Sequence, residues 1–219
     1  MNLHMRRLRP LLPFFIAVSV CPAVLADDKT EVFDFQKDEV KDLPTAFMEI
    51  EGSFAIAEEG DDKFLRLKEE PLGENGLIFG ASSAGKTILE ARIRSEKTRR
   101  TSPRFGIGAH GIKGYRLRLV PQKKQVELVK DESEVVATAG FEWKSGIWTH
   151  LKLSITDAGG EKWKIEGWAW KDGEKASEKP LIAHAHSGHP GTGKASLWGT
   201  PYAGFPIDFD EVKLTVEPK

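Results

Sequence analysis

Apolar side chains recur at every second position along most of the chain. Phe54 and Ile56 alternate with Ser53, Ala55 and Ala57, Leu65 and Leu67 with Arg66 and Lys68, and Leu89, Ala91 and Ile93 with Glu90, Arg92 and Arg94. Tyr115, Leu117 and Leu119 alternate with Arg116 and Arg118, and Leu151, Leu153 and Ile155 with Lys152, Ser154 and Thr156. Val32, Phe33 and Phe35 open the series, and Val126 and Leu128 flank Glu127. Each run is short and bounded by Gly, Pro, Asp or Asn, which is the pattern of half-buried strands. Glu59-Gly-Asp-Asp, Asp157-Ala-Gly-Gly and Lys171-Asp-Gly supply turns between them. No long stretch carries the helical period; Lys37 to Leu43 has room for one short turn. The pattern predicts an all-β fold, a sandwich or barrel, in one domain from Asp27 to Lys219.

The stretch from Gly193 to Val216 organises the end of the chain. Leu197 and Trp198 close a short apolar strand, and Gly199-Thr-Pro-Tyr-Ala-Gly-Phe-Pro reads as a loop rich in turn formers. Val212, Leu214 and Val216 then alternate with Glu211, Lys213, Thr215 and Glu217. Phe209 and Val212 both carry core side chains but stand three apart. That break in the period predicts a β-bulge at Asp210-Glu211.

Residues 1–26 stand apart from this pattern. Arg6, Arg7 and Arg9 precede an apolar run from Leu11 to Val20, and Val24-Leu25-Ala26 offers a cleavage site before Asp27. The run is shorter than the ~20 residues of a spanning helix, so it predicts a signal peptide and an exported chain, periplasmic or extracellular. An N-terminal anchor and lipidation at Cys21 are the alternatives. Cleavage would remove three arginines, taking the formal charge from -1 to -4, and with them the single cysteine. The mature chain then has no disulfide and holds together by core burial, and its mild acidity argues against non-specific nucleic-acid binding. No later apolar run approaches spanning length, so no membrane span is expected after cleavage.

Three groups of residues bear on chemistry. Gly80-Ala-Ser-Ser-Ala-Gly-Lys86-Thr87 matches the phosphate-loop pattern G-x-x-x-x-G-K-S/T, but that pattern works only at the start of a helix. The residues after Thr87 alternate as a strand, so the match reads as a turn and no nucleotide is expected. His184, His186 and His189 lie in HAHSGH, and two imidazoles at i and i+2 on a strand can share one metal. No acid sits among them, so a solvated loop is the plainer reading, and His110 and His150 stand alone. The third group is tryptophan: Trp143, Trp148, Trp163, Trp168, Trp170 and Trp198 all follow residue 140. Within KWKIEGWAWKDG, Trp168 and Trp170 share a strand face with Lys162, Lys164 and Glu166. Either they form a platform on which the apolar face of a sugar ring stacks, or the 199–206 loop covers them as core. Tyr202 and Phe205 in that loop either join the platform or cover it. Asp208 and Asp210 are an i, i+2 acid pair with no feature that makes one of them an acid catalyst, and a serine nucleophile elbow is absent from the sequence.

The ordered strings GSFAIAEEGDDKFLRLK, TILEARIRS, GYRLRLVPQKKQVELVK, GIWTHLKLSI, EGWAWKDGEKASEKP and GKASLWGTPYAGFPIDFDEVKLTV resemble the concanavalin A-like lectin/glucanase superfamily. More narrowly, they resemble laminin G-like and 3-keto-disaccharide-hydrolase-type jelly rolls of exported bacterial proteins. The signals are Gly146-x-Trp148 before a strand, Trp170-x-Asp-Gly173 at a turn and Phe209-Asp-Glu-Val212 near the end. The resemblance implies a two-sheet antiparallel jelly-roll sandwich whose first and last strands are neighbours. It also implies carbohydrate partners, poly- or oligosaccharide, or envelope proteins; together with the tryptophan strand and its neighbouring loop, it makes Trp168, Trp170 and Tyr202 the expected ligand contacts. Some members hold a structural calcium, which would involve Asp34, Asp208 or Asp210, though no full set of oxygen ligands can be matched. The E-x-D-x-x-E signature of sandwich glucanases is missing, so enzymatic activity is not carried over. The leading expectation is an exported, non-catalytic carbohydrate-binding or surface-interaction module of the cell envelope; a glycoside hydrolase or 3-keto-glycoside-processing enzyme and a protein-docking jelly roll are the alternatives.

Overall fold

The computed structural model describes residues 28–69, 73–202 and 204–217, so the expected signal peptide and Cys21 lie outside the described residues. Fifteen strands, numbered in chain order, form two sheets among the described residues. The first sheet runs β13 (Ile182–Ser187), β12 (Lys162–Lys171), β11 (Thr149–Gly159), β6 (Thr87–Ser95), β15 (Ile207–Val216), β4 (Asp62–Leu67), β3 (Phe54–Glu59), with β1 (Lys29–Phe33) also on β15. The second runs β10 (Glu134–Gly140), β9 (Gln125–Lys130), β8 (Tyr115–Val120), β7 (Arg104–Ala109), β14 (Gly193–Thr200), β5 (Asn75–Ser83), β2 (Phe47–Glu51). Every pairing is antiparallel. Among the described residues, no helix is long and apolar enough to cross a membrane.

The period of two sets which side chains meet between the sheets. Along β6, Thr87, Leu89, Ala91, Ile93 and Ser95 are buried, while the residues between them are partly exposed. Leu151, Leu153 and Ile155 of β11 pair with Ala91, Leu89 and Thr87 and present the same inner face. Across the gap they meet Leu117, Leu119, Ile107, Leu77 and Leu197, so one apolar layer lies between the sheets. Burial of each such side chain contributes about 1.5–3 kcal/mol. Phe33, Phe47 and Phe79 close one end, with ring centroids 5.0–5.5 Å apart.

The predicted bulge is present. Register shifts between Asp210 and Lys213, and Glu211 takes a φ of +47°. Before the bulge β15 pairs with β4 through Ile207–Phe209; after it, the same edge pairs with β1 through Val212–Val216. The first and last strands are therefore neighbours, as expected.

The outer face of the second sheet departs from the simple pattern. Arg116 alternates with apolar residues as a solvent-facing position should, yet it is 5% exposed. Its guanidinium carbon lies 3.5 Å from the ring centroid of Trp198, also on the outer face. Glycine makes this possible: a Cβ on Gly76 would stand 2.4 Å from Trp198 Cε3, and one on Gly108 3.1 Å from Arg116 Cγ. Both flat groups lie on bare backbone. We therefore expect Gly76→Ala to lift Trp198 from the sheet and cost about 1–3 kcal/mol by overpacking, read as a lower urea midpoint with red-shifted tryptophan emission.

Candidate functional site

The outer face of the first sheet carries the predicted tryptophan pair. On β12, Ile165 and Gly167 face inward; a Cβ on Gly167 would stand 2.5 Å from Leu117 Cδ1 of the opposite sheet. Strand geometry then turns Trp168 and Trp170 outward, and both are only partly buried. They belong to the surface of the sandwich and not to its core.

Their surroundings differ from a bare aromatic platform. Trp170 pairs across the sheet with His150, and the two rings stack with centroids 4.9 Å apart and planes 6° apart. That separation equals the spacing between strands, so both rings stand on edge above the sheet. His150, a lone histidine in the sequence, is held in this stack and by Asp172 Oδ1, 3.2 Å from Nε2. Trp168 pairs with Lys152, whose Nζ lies 5.4 Å from an indole centroid. Each indole thus gives one face to a nitrogen-bearing neighbour on β11 and turns the other towards the edge, where β13 ends opposite Gly167.

Farther across the same face, charged residues meet in register. Arg66 of β4, Asp208 of β15 and Arg94 of β6 stand directly opposite one another. Arg66 Nε and Nη2 donate to Asp208 Oδ1 and Oδ2 at 2.7 and 3.0 Å, and Arg94 Nη2 donates to Oδ2 at 3.1 Å. Arg94 Nη2 also donates to Glu59 Oε2 at 2.6 Å. Two residues along, Arg92 is paired with Asp210. Trp148 lies 4.7 Å from both Arg92 and Arg94, and Phe64 takes Arg66 and Arg94 at 5.2 and 5.3 Å.

This network sets the local acidities. The hydrogen bond to Asp208 raises Arg66, and the bond from Arg94 lowers Glu59. Burial raises Asp210, with its bond from Arg92 pulling the other way. Glu59 and Asp208 accept hydrogen bonds from arginine, which makes them part of a fixed hydrogen-bonding wall. Beside them opens a hollow of about 460 Å³, walled by Arg66, Arg94, Asp208, Glu59, Phe205 and Pro206.

Tyr202 is not part of this face. Its ring lies 5.3 Å from the Arg104 guanidinium, at the end of β7 in the second sheet. The 201–206 loop crosses from β14 to β15, hence from one sheet to the other, so Tyr202 and Phe205 serve different sheets. The loop brings Phe205 to the hollow; it does not bring Tyr202 to Trp168 and Trp170.

The phosphate-loop string spans two strands. β5 continues through Ser83, residues 84–86 turn, and Thr87 opens β6, so the chain enters a strand where a phosphate site requires a helix. Lys86 pairs with Asp28. The histidines of HAHSGH are not a solvated loop. His186 Nδ1 lies 2.9 Å from the Tyr115 hydroxyl, His189 Nε2 is 3.0 Å from the Ala84 carbonyl, and the His189 ring stacks on His110 with planes 21° apart. Burial pushes the Tyr115 hydroxyl up to about 12 and lowers His184. Among the described residues, no group of three or more His, Cys, Asp or Glu is arranged to hold a metal ion. Asp208 and Asp210 face arginines, and Asp34 Oδ1 accepts from the Gln36 backbone N–H at 3.3 Å.

No family model matches the chain, and no curated protein matches it. Solved structures do. The carbohydrate-binding module CBM66 from Bacillus subtilis aligns at 18% identity and a TM-score of 0.54, over 77% of this chain and 95% of the module. Peanut lectin aligns at 9% identity and 0.57, over 87% and 97%. The carbohydrate recognition domain of Emp46p aligns at 13% and 0.53, over 84% and 92%. At these identities the likeness establishes the fold, a concanavalin A-like jelly-roll sandwich.

Proposed function

We propose that this protein is a non-catalytic carbohydrate-binding module of an exported protein, and that a poly- or oligosaccharide lies across the outer face of the first sheet. The observation that carries this reading is the pair of partly exposed indoles, Trp168 and Trp170, beside the charged residues of the outer sheet face. An indole offers a flat apolar surface for the C–H face of a sugar ring, and its neighbours Lys152, His150 and Glu166 reach hydroxyls. The fold neighbours, by their names a carbohydrate-binding module, a lectin and a carbohydrate recognition domain, support the same class of ligand. The engaged state of Glu59 and Asp208 favours binding over bond cleavage at this face.

A glycan array followed by calorimetry on the best binder tests the reading. Trp168→Ala and Trp170→Ala are each expected to weaken binding about tenfold, equivalent to about 1.4 kcal/mol, with an unchanged melting temperature. A double variant that binds as wild type, or a wild-type protein that binds no glycan on the array, would overturn it.

A further inference from the structure

We infer that the hollow beside Phe205 is a second subsite of the same face and that it admits uncharged sugar residues while rejecting anionic ones. This rests on the carbohydrate reading above and adds the class of saccharide. The hollow, at about 460 Å³, falls within the roughly 300–1,000 Å³ of small-molecule sites. Its lining combines Phe205 and Pro206 with a rigid polar wall in which Asp208 is clamped between Arg66 and Arg94. A ring seated there meets an apolar surface on one side and fixed donors and acceptors on the other.

The charge balance of the lining decides which rings enter. The lining includes four acidic residues, Glu58, Glu59, Glu96 and Asp208, and two arginines, Arg66 and Arg94. Both arginines are already bound: Arg66 to Asp208, and Arg94 to Asp208 and Glu59. Glu58 and Glu96, both exposed, carry the excess negative charge at the rim. A uronic acid or sulphated sugar would meet these carboxylates with both cations of the wall already neutralised. A neutral ring meets no such penalty, because a hydroxyl both donates to carboxylate and accepts from guanidinium.

The hollow and the tryptophan pair lie on one path. Trp170, His150 and Arg92 form a cross-strand row, and Arg94 is two residues beyond Arg92 on β6. Strand spacing and rise put Trp170 and Arg94 on the order of 12 Å apart, within the span of a short oligosaccharide. Trp148 packs against both arginines between them and keeps the path lined.

Affinity electrophoresis tests the inference with gels containing hydroxyethyl cellulose, laminarin, galactomannan or dextran, against carboxymethyl cellulose, alginate or dextran sulphate. The wild type is expected to be retarded by at least one neutral polymer and by no anionic one. Phe205→Ala is expected to weaken the neutral interaction about tenfold with Trp168 and Trp170 intact. The exposed-site double variant Glu58→Gln/Glu96→Gln is expected to gain affinity for the anionic polymers. Full retention of binding in Phe205→Ala, or equal retardation of the wild type by anionic polymers, overturns the subsite. If Trp168→Ala/Trp170→Ala abolishes binding while Phe205→Ala leaves it unchanged, the hollow fails and the tryptophan face survives. If no neutral polymer retards the protein, both fail.

Discussion

Replacing Asp208 with alanine is expected to cost about 3 kcal/mol of stability and to lower the melting temperature by roughly 10 °C, given about 2–4 °C per kcal/mol for a domain of this size. Asp208 is 4% exposed and accepts three hydrogen bonds from two arginines. Its removal leaves Arg66 and Arg94 facing each other across the vacated strand, where each raises the electrostatic energy of the other. The loss is that of breaking a buried pair, which exceeds what the pair adds when intact. Asp208→Asn keeps the size and one acceptor and is expected to restore about half of the loss. The exposed pair of Lys29 and Glu31 serves as the control; its disruption is expected to change stability by less than about 0.5 kcal/mol. An Asp208→Ala melting temperature within 2 °C of wild type would mean that solvent replaces the carboxylate at no cost.

Acidification is expected to destabilise the protein through His110. This residue is 2% exposed, sits at φ +64°, and has Nε2 3.0 Å from the Gly85 carbonyl and 3.1 Å from Thr87 Oγ1. Its Nδ1 has no partner. With Nε2–H donating to Gly85, protonation would place a new donor and a full charge in a site packed by Trp163 and His189. Burial therefore pushes the imidazole from 6.5 down to about 4, and the charges of His189 and Lys130 act in the same direction. Because the folded value lies below the unfolded one, the unfolded chain binds the extra proton between them. The stabilisation is complete above about pH 6.5 and is lost as pH falls towards 4, for a total of about 3 kcal/mol. Urea midpoints at pH 7, 5.5 and 4 for wild type and His110→Asn isolate the effect, since the carboxylates titrate in both. Parallel pH profiles in the two proteins would rule His110 out as the source.

Much of the fold can be read from residue order because both sheets are faced by alternating side chains. β6, β11 and β12 follow their apolar positions, and the spacing of Phe209 and Val212 located the bulge at Asp210-Glu211. The pattern is lost where glycine takes the outer positions. Arg104–Ala109 reads RFGIGA, with glycine at two of its three outer positions and only Arg104 to mark that face, so β7 went unrecognised. Arg116 looked solvated because the glycines that let it lie flat belong to other strands. The same limit applies to the site. Trp168 and Trp170 were legible as a pair sharing a face with charged residues, with platform and covered core both open, but the Arg66–Asp208–Arg94 clamp needs the register of three strands distant in sequence. Tyr202 shows the converse: three residues from Phe205, it is carried to the other sheet by a loop whose crossing no local pattern records.

The placement of β15 has a kinetic consequence. The C-terminal strand lies between β6 and β4, in the interior of the first sheet, and also holds the N-terminal strand β1. A chain growing from its N-terminus therefore cannot seal that sheet until β15 has been made, and the backbone edges of β4 and β6 stay open until then. Such long-range closure slows folding and leaves unpaired strand edges open to other chains in the interval.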